Sequence, residues 1–166
     1  DADDLDGARR QAAEEYSRLT DQAEALQAAR INLAETNLRV ARMAFDAETM
    51  AHWAVERRKL VLGVAALSLE QLRNEQDQWY AAALRHGQRL EMDVAIHLAQ
   101  RSVAEATSAV DRAVCENDLG VALQTQGQRS GSEDGLALLS RAVGAYQAAL
   151  EVYTRAEMPG DWAMTQ

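Results

Sequence analysis

The sequence predicts an all-α fold, and three observations carry that expectation. Alanine and leucine dominate the apolar residues, while aromatics make up only 5% of the chain. Both lead the helix-propensity order because they surrender little side-chain freedom in a helix. A single proline is present, and neither glycine nor proline occurs between Gly7 and Gly63. Almost nothing there stops a helix from running on. Apolar residues also recur at helical spacing wherever the chain is long enough to show it.

From the N-terminus, Leu19, Leu26, Leu33, Val40, Ala47 and Ala54 recur every seven residues, with Ala23, Ala44 and Ala51 in the neighbouring turn. This spacing describes one narrow apolar face. A second stripe, Ile31, Leu38 and Phe45, implies burial on more than one side. One long coiled-coil helix wants a polar back, so two or more helices packed antiparallel are expected here. Farther on, the apolar Leu60–Leu69 stretch is about half the length that a membrane span requires. The basic run Arg57-Arg58-Lys59 before it is too short to suggest a membrane-surface helix.

Six of the nine glycines lie at or after Gly120. Residues 111–126 read as a helix with Val114, Leu119, Ala122 and Leu123 on its apolar side. Gly127 to Gly135 reads as a turn-rich break, with Ser130 or Ser132 capping a helix over about 136–155. Pro159-Gly160-Asp161 starts another, with Asp161 as N-cap. No linker separates Val110 from Asp111, so the helix from Asp93 is expected to run on into the next.

A shift of 40 residues superposes Gly87-Gln88-Arg89 on Gly127-Gln128-Arg129, Leu98 on Leu138, Arg101 on Arg141, Val103 on Val143 and Ala109 on Ala149. Ordinary composition predicts about two such identities over that window. A second echo matches Trp53-Ala54 with Trp162-Ala163. These features predict an internal repeat.

The stretch Asn117-Asp118-Leu119-Gly120-Val121-Ala122-Leu123, then Gly127, then Ala142-Val143, Ala145-Tyr146, Ala149-Leu150 and Met158-Pro159, resembles the tetratricopeptide repeat. Gly127-Gln128-Arg129 and Asp161-Trp162-Ala163 are similar to the bacterial subgroup with longer repeats. The resemblance covers about residues 112–166. Trp79-Tyr80 stand where Leu119-Gly120 stand in the clear copy. It implies antiparallel helix pairs stacked as a right-handed solenoid. Gly120 would permit close helix approach, with Tyr146 between Ala142 and Ala149 on the facing helix. The expected division is residues 1–90, as degenerate repeats or a helical bundle, and 91–166, as repeats with the last one truncated. The abrupt ending suggests a fragment of a longer protein.

The function implied is a non-catalytic scaffold that holds a peptide or partner protein in a helical groove. Asn117, Val121, Gln124 and Thr125 are the groove candidates. The alternative is a helical-bundle or coiled-coil module for oligomerisation, so a homo-oligomer is also considered. A net charge of −9, acidic on both sides of residue 112, argues against a nucleic-acid surface. No cofactor or metal is expected. Glu48, His52 and Glu56 share a helix face, but such rows are ordinarily ion-pair ladders. Cys115 is the only cysteine, which fits a small buried hydrophobe better than a nucleophile. Trp53, Trp79 and Trp162 are expected at interhelical seams rather than in a ligand cage. The acidic opening Asp1-Ala2-Asp3-Asp4 does not resemble a signal peptide, and a cytoplasmic location is expected.

Overall fold

Caps, more than glycines, divide the N-terminal half into helices. The computed structural model describes residues 2–131, 133–156 and 158–166, with side chains from residue 6 onward. Among these residues there are seven helices and no strand: α1 (Ala2–Met43), α2 (Ala47–Leu62), α3 (Leu69–His86), α4 (Arg89–Glu105), α5 (Ala109–Ser130), α6 (Glu133–Leu150) and α7 (Pro159–Thr165). The all-α expectation holds.

The first break needs no glycine. Phe45 adopts a left-handed φ of 54°, and Asp46 accepts from the Thr49 N–H at 2.9 Å and the Thr49 hydroxyl at 2.6 Å. A short polar side chain of this kind pairs an orphan N–H in the first turn of α2. α2 then returns antiparallel to α1: Ala41 packs near Met50, Arg57 pairs with Glu35, and Gln27 donates to the Leu60 carbonyl. Expected antiparallel helices are therefore present. The α2 end of the seven-residue row is covered, with Ala54 buried and Ala47 packed against the cluster around Met50, but its α1 part is not the seam. Ala34 and Ala41 are buried, whereas Leu19, Leu26, Leu33 and Val40 lie on the surface. The second stripe also divides, with Ile31 and Leu38 half-buried and Phe45 exposed at the turn.

Gly63 ends α2 in the left-handed region. Ser68 then opens α3 with a reciprocal capping box, its hydroxyl taking the Gln71 N–H and Gln71 Oε1 taking the Ser68 N–H. α3 and α4 form the next pair. α4 packs against both α2 and α5.

Three expected boundaries shift. The helix from Asp93 does not continue through Val110, because α4 stops at Glu105 and Ser108 caps α5 by accepting from the Asp111 N–H at 3.0 Å. Nor is Gly127 to Gly135 a break. α5 runs through Gly127 to Ser130, and only Gly131, with φ 56°, turns the chain before α6 begins at Glu133. The reason is proximity. A Cβ on Gly127 would sit 2.9 Å from Leu139 Cγ, and one on Gly135 would sit 2.7 Å from the Gly127 carbonyl oxygen. These glycines let α5 and α6 touch rather than turn the chain. The expected helix to Arg155 closes earlier, at Leu150.

Three core clusters follow one another along the chain. The first joins Ala41, Met50, Val55, Leu72, Val94 and Leu98; the second Ala83, Met92, Ile96, Ala122, Leu123 and Ala142; the third Ala113, Ala149 and Tyr153. The first two each join residues from both sides of residue 90. Trp79 packs on the first and Trp162 on the third, while Trp53 meets His52 edge-on.

Candidate partner-binding surface

The expected groove residues sit on α5. Asn117 is half-buried, and its Oδ1 accepts from the Thr165 hydroxyl of α7 at 3.1 Å. Gln124 is exposed, with its Oε1 accepting from the Tyr146 hydroxyl of α6 at 2.8 Å. Thr125 donates to the Val121 carbonyl and lies 3.0 Å from the Tyr80 hydroxyl of α3. Val121 holds no neighbouring helix through its side chain and is 37% exposed. Asn117, Gln124 and Thr125 thus also hold neighbouring helices in place, and Val121 is the freest of the four.

α3 lies beside α5. Arg73 reaches Asp118 at 2.8 Å, Tyr80 reaches Thr125, and Arg129 donates to the Ala83 carbonyl at 3.2 Å. Later residues of α3 meet later residues of α5, so the two helices run in the same direction. α3 then supplies a row equivalent to that of α5. Asn74, Gln78, Ala81 and Arg85 stand 43 residues before Asn117, Val121, Gln124 and Gln128, and each of the eight keeps exposed surface. The same offset superposes buried positions in and just after α4 on those of α6, since Met92, Ala99, Ser102 and the cap residue Ala106 precede Gly135, Ala142, Ala145 and Ala149 by the same interval.

That offset replaces the one expected from the sequence. At 40 residues, Gly87, the left-handed cap of α3, is set against Gly127, which is helical and buried. The Gly-Gln-Arg triplets do not occupy equivalent places. The α3 row was missed because the shorter offset moves it out of phase, although Asn74 and Asn117 could have marked it.

A cleft of about 740 Å³ continues the α3 row toward α2. Arg42, Arg57, Arg58, Glu75, Trp79 and Arg85 are among its lining residues. Trp79 Nε1 donates to Glu75 at 3.1 Å, and Arg42 both pairs with buried Glu91 at 3.3 Å and lies 6.0 Å from the Trp79 ring centre. Arg58 Nε and Glu75 Oε2 are buried without a hydrogen-bond partner. Arg58 and Arg85 form no ion pair among the described residues. Such a cleft offers cationic donors suited to carboxylates or peptide carbonyls.

Of the groups considered for chemistry, Cys115 is buried and Glu56 is paired. Burial pushes the Cys115 thiol up to about 11, although nearby Arg73 pulls the other way. Glu56 accepts from Lys59 at 2.7 Å, and this bond holds its carboxyl below the usual range. Among the described residues no cluster of three His, Cys, Asp or Glu side chains is placed to hold a metal ion, and no helix is long and apolar enough to cross a membrane. No protein-family model, curated protein or solved structure matches the chain.

Proposed function

We propose that the chain is a protein-interaction scaffold of tetratricopeptide-type helix pairs, holding a peptide or partner protein along the joined surface of α3 and α5. One observation carries this reading. Two helices run side by side in the same direction and present matched rows, Asn74, Gln78, Ala81 and Arg85 beside Asn117, Val121, Gln124 and Gln128. Stacked pairs of this kind form a solenoid whose first helices line one side. Amide side chains there can bond a partner's backbone, Val121 gives an apolar contact, and Arg58 and Arg85 in the adjoining cleft take acidic groups. The protonated, buried state of Cys115 agrees with a role that does not involve nucleophilic chemistry.

The test is a phage-displayed peptide library panned against the full chain. Selected peptides should lose binding to Val121→Arg and to Gln78→Ala with Arg85→Ala, while circular dichroism of those variants stays native. Asn117 and Gln124 are poorer probes, because truncating them also releases α7 and Tyr146. If no peptide is selected, or if binding survives both changes, the reading fails.

A further inference from the structure

α1 carries an apolar row that no described part of the chain covers. Leu19, Leu26, Leu33 and Val40 are 53%, 63%, 59% and 59% exposed. Seven-residue spacing keeps them on one line, about 100° around the helix from Ala34 and Ala41, which face α2. α2 reaches only as far as Gln27, through the Leu60 carbonyl, and every described residue from 6 to 26 is exposed. Those residues form a rod about 30 Å long. An unsupported helix of that length is marginal in water, since helices in proteins are held chiefly by packing an apolar face. A sustained seven-residue apolar row is the pattern by which one helix packs along another.

Charge selects the occupant and its direction. Residues 1–24 carry eight acids and three arginines, while residues 25–43 carry three arginines and one acid. A second copy laid parallel would set acidic half beside acidic half. Laid antiparallel, it sets each acidic half on the other's basic half.

We propose that α1 pairs antiparallel with α1 of a second copy of this chain, about a two-fold axis between residues 22 and 23. Leu19 then faces Leu26, and Ala12 faces Leu33. The seam is narrow, because the positions three residues after Ala12, Leu19, Leu26 and Leu33 are Glu15, Gln22, Ala29 and Thr36. The pairing is therefore reversible and weakens with salt. It uses none of the α3–α5 surface, so it stands or falls separately from the peptide-binding role.

Sedimentation equilibrium of the full chain across a dilution series tests this. Average mass should climb from monomer toward dimer with concentration, more steeply at low salt. Leu26→Glu with Leu33→Glu, both at exposed positions, should remain monomeric throughout. Val143→Glu, which changes an exposed apolar residue of α6, should associate as the unaltered chain does. Direction is read by oxidation of cysteine variants. Gln22→Cys should form a disulfide-linked dimer with itself, whereas Ala12→Cys should do so only when mixed with Leu33→Cys. A chain that stays monomeric at every concentration overturns the proposal. So does a dimer indifferent to Leu26→Glu with Leu33→Glu, or Ala12→Cys linking to itself as readily as Gln22→Cys.

Discussion

Gly120 is the residue on which the contact between α5 and α6 turns. An added Cβ would meet the Tyr146 ring at 2.6 Å, and the ring's hydroxyl is anchored on Gln124. Helix propensity alone would favour Gly120→Ala by about 1 kcal/mol. Overpacking costs about 1–3 kcal/mol, so the net expectation in urea unfolding is a loss of about 1 kcal/mol. Gly144 is the control, since a Cβ there meets nothing within 4 Å and Gly144→Ala should gain about 0.5–1 kcal/mol. The first of these was legible in the sequence, where Leu119-Gly120 faces an Ala142-x-x-x-Tyr146 pattern. Phe45 was not legible, because no glycine marks a left-handed turn there. Its φ of 54° strains a side chain that is 80% exposed and therefore stabilises little by burial. Left-handed backbone costs a non-glycine residue about 1–2 kcal/mol, partly offset by the entropy of an added glycine. Phe45→Gly should accordingly raise stability by about 0.5 kcal/mol in the same assay. Cys115 gives a pH signature. The unfolded thiol loses its proton near its ordinary value of 9.0, while the folded thiol keeps it until about 11. The folded state then holds more protons across that window, so stability falls as pH rises through it. Cys115→Ala should flatten this part of the profile, and the native thiol should resist alkylation at pH 8 until urea unfolds the chain.

Between elements, the tie of Arg73 to Asp118 joins α3 to α5 at 2.8 Å, with both side chains largely covered. Burial raises the Asp118 carboxyl, and its hydrogen bond to Arg73 pulls it back. Arg73→Ala leaves that carboxylate covered and unpaired, which should cost about 1–2 kcal/mol. Arg73→Ala with Asp118→Ala should cost less than Arg73→Ala alone, a coupling that a double-mutant cycle in urea reads directly. If the two single losses simply add, the pair does not join the helices. Such long-range ties are not legible in one sequence, because nothing local announces that residue 73 meets residue 118. Element boundaries were legible only where their signals stand alone. Ser108 with Asp111 is a readable cap, but no glycine or proline near Val110 marks a linker there. Gly127 and Gly135 look like turn residues because composition cannot separate a glycine that bends the chain from one that admits a neighbouring helix. That ambiguity also displaced the repeat offset and with it the α3 row.

At the scale of the whole molecule, stability is distributed unevenly along the chain. The three core clusters link α1's C-terminal half through α2, α3, α4, α5 and α6 to α7, with α4 packed between α2 and α5. The N-terminal half of α1 belongs to none of them. Sequence periodicity revealed that α1 is helical and has an apolar row, yet it could not reveal that α2 is too short to cover it. Local opening free energy follows buried contacts, so helices that share a packed core open together and an unsupported rod frays on its own. At dilutions where the proposed α1 pairing is dissociated, amides of residues 6–24 should exchange at least about 100-fold faster than those of residues 50–55 and 94–99. Protection should reappear from about Gln27, where the Leu60 carbonyl is first met. Concentrating the chain should slow exchange in residues 6–24 and leave the core amides unchanged, because only the rod gains a partner. Uniform protection along α1 at high dilution would mean that the helix holds itself without any partner, and the free energy assigned to packing along its leucine row would then be unnecessary.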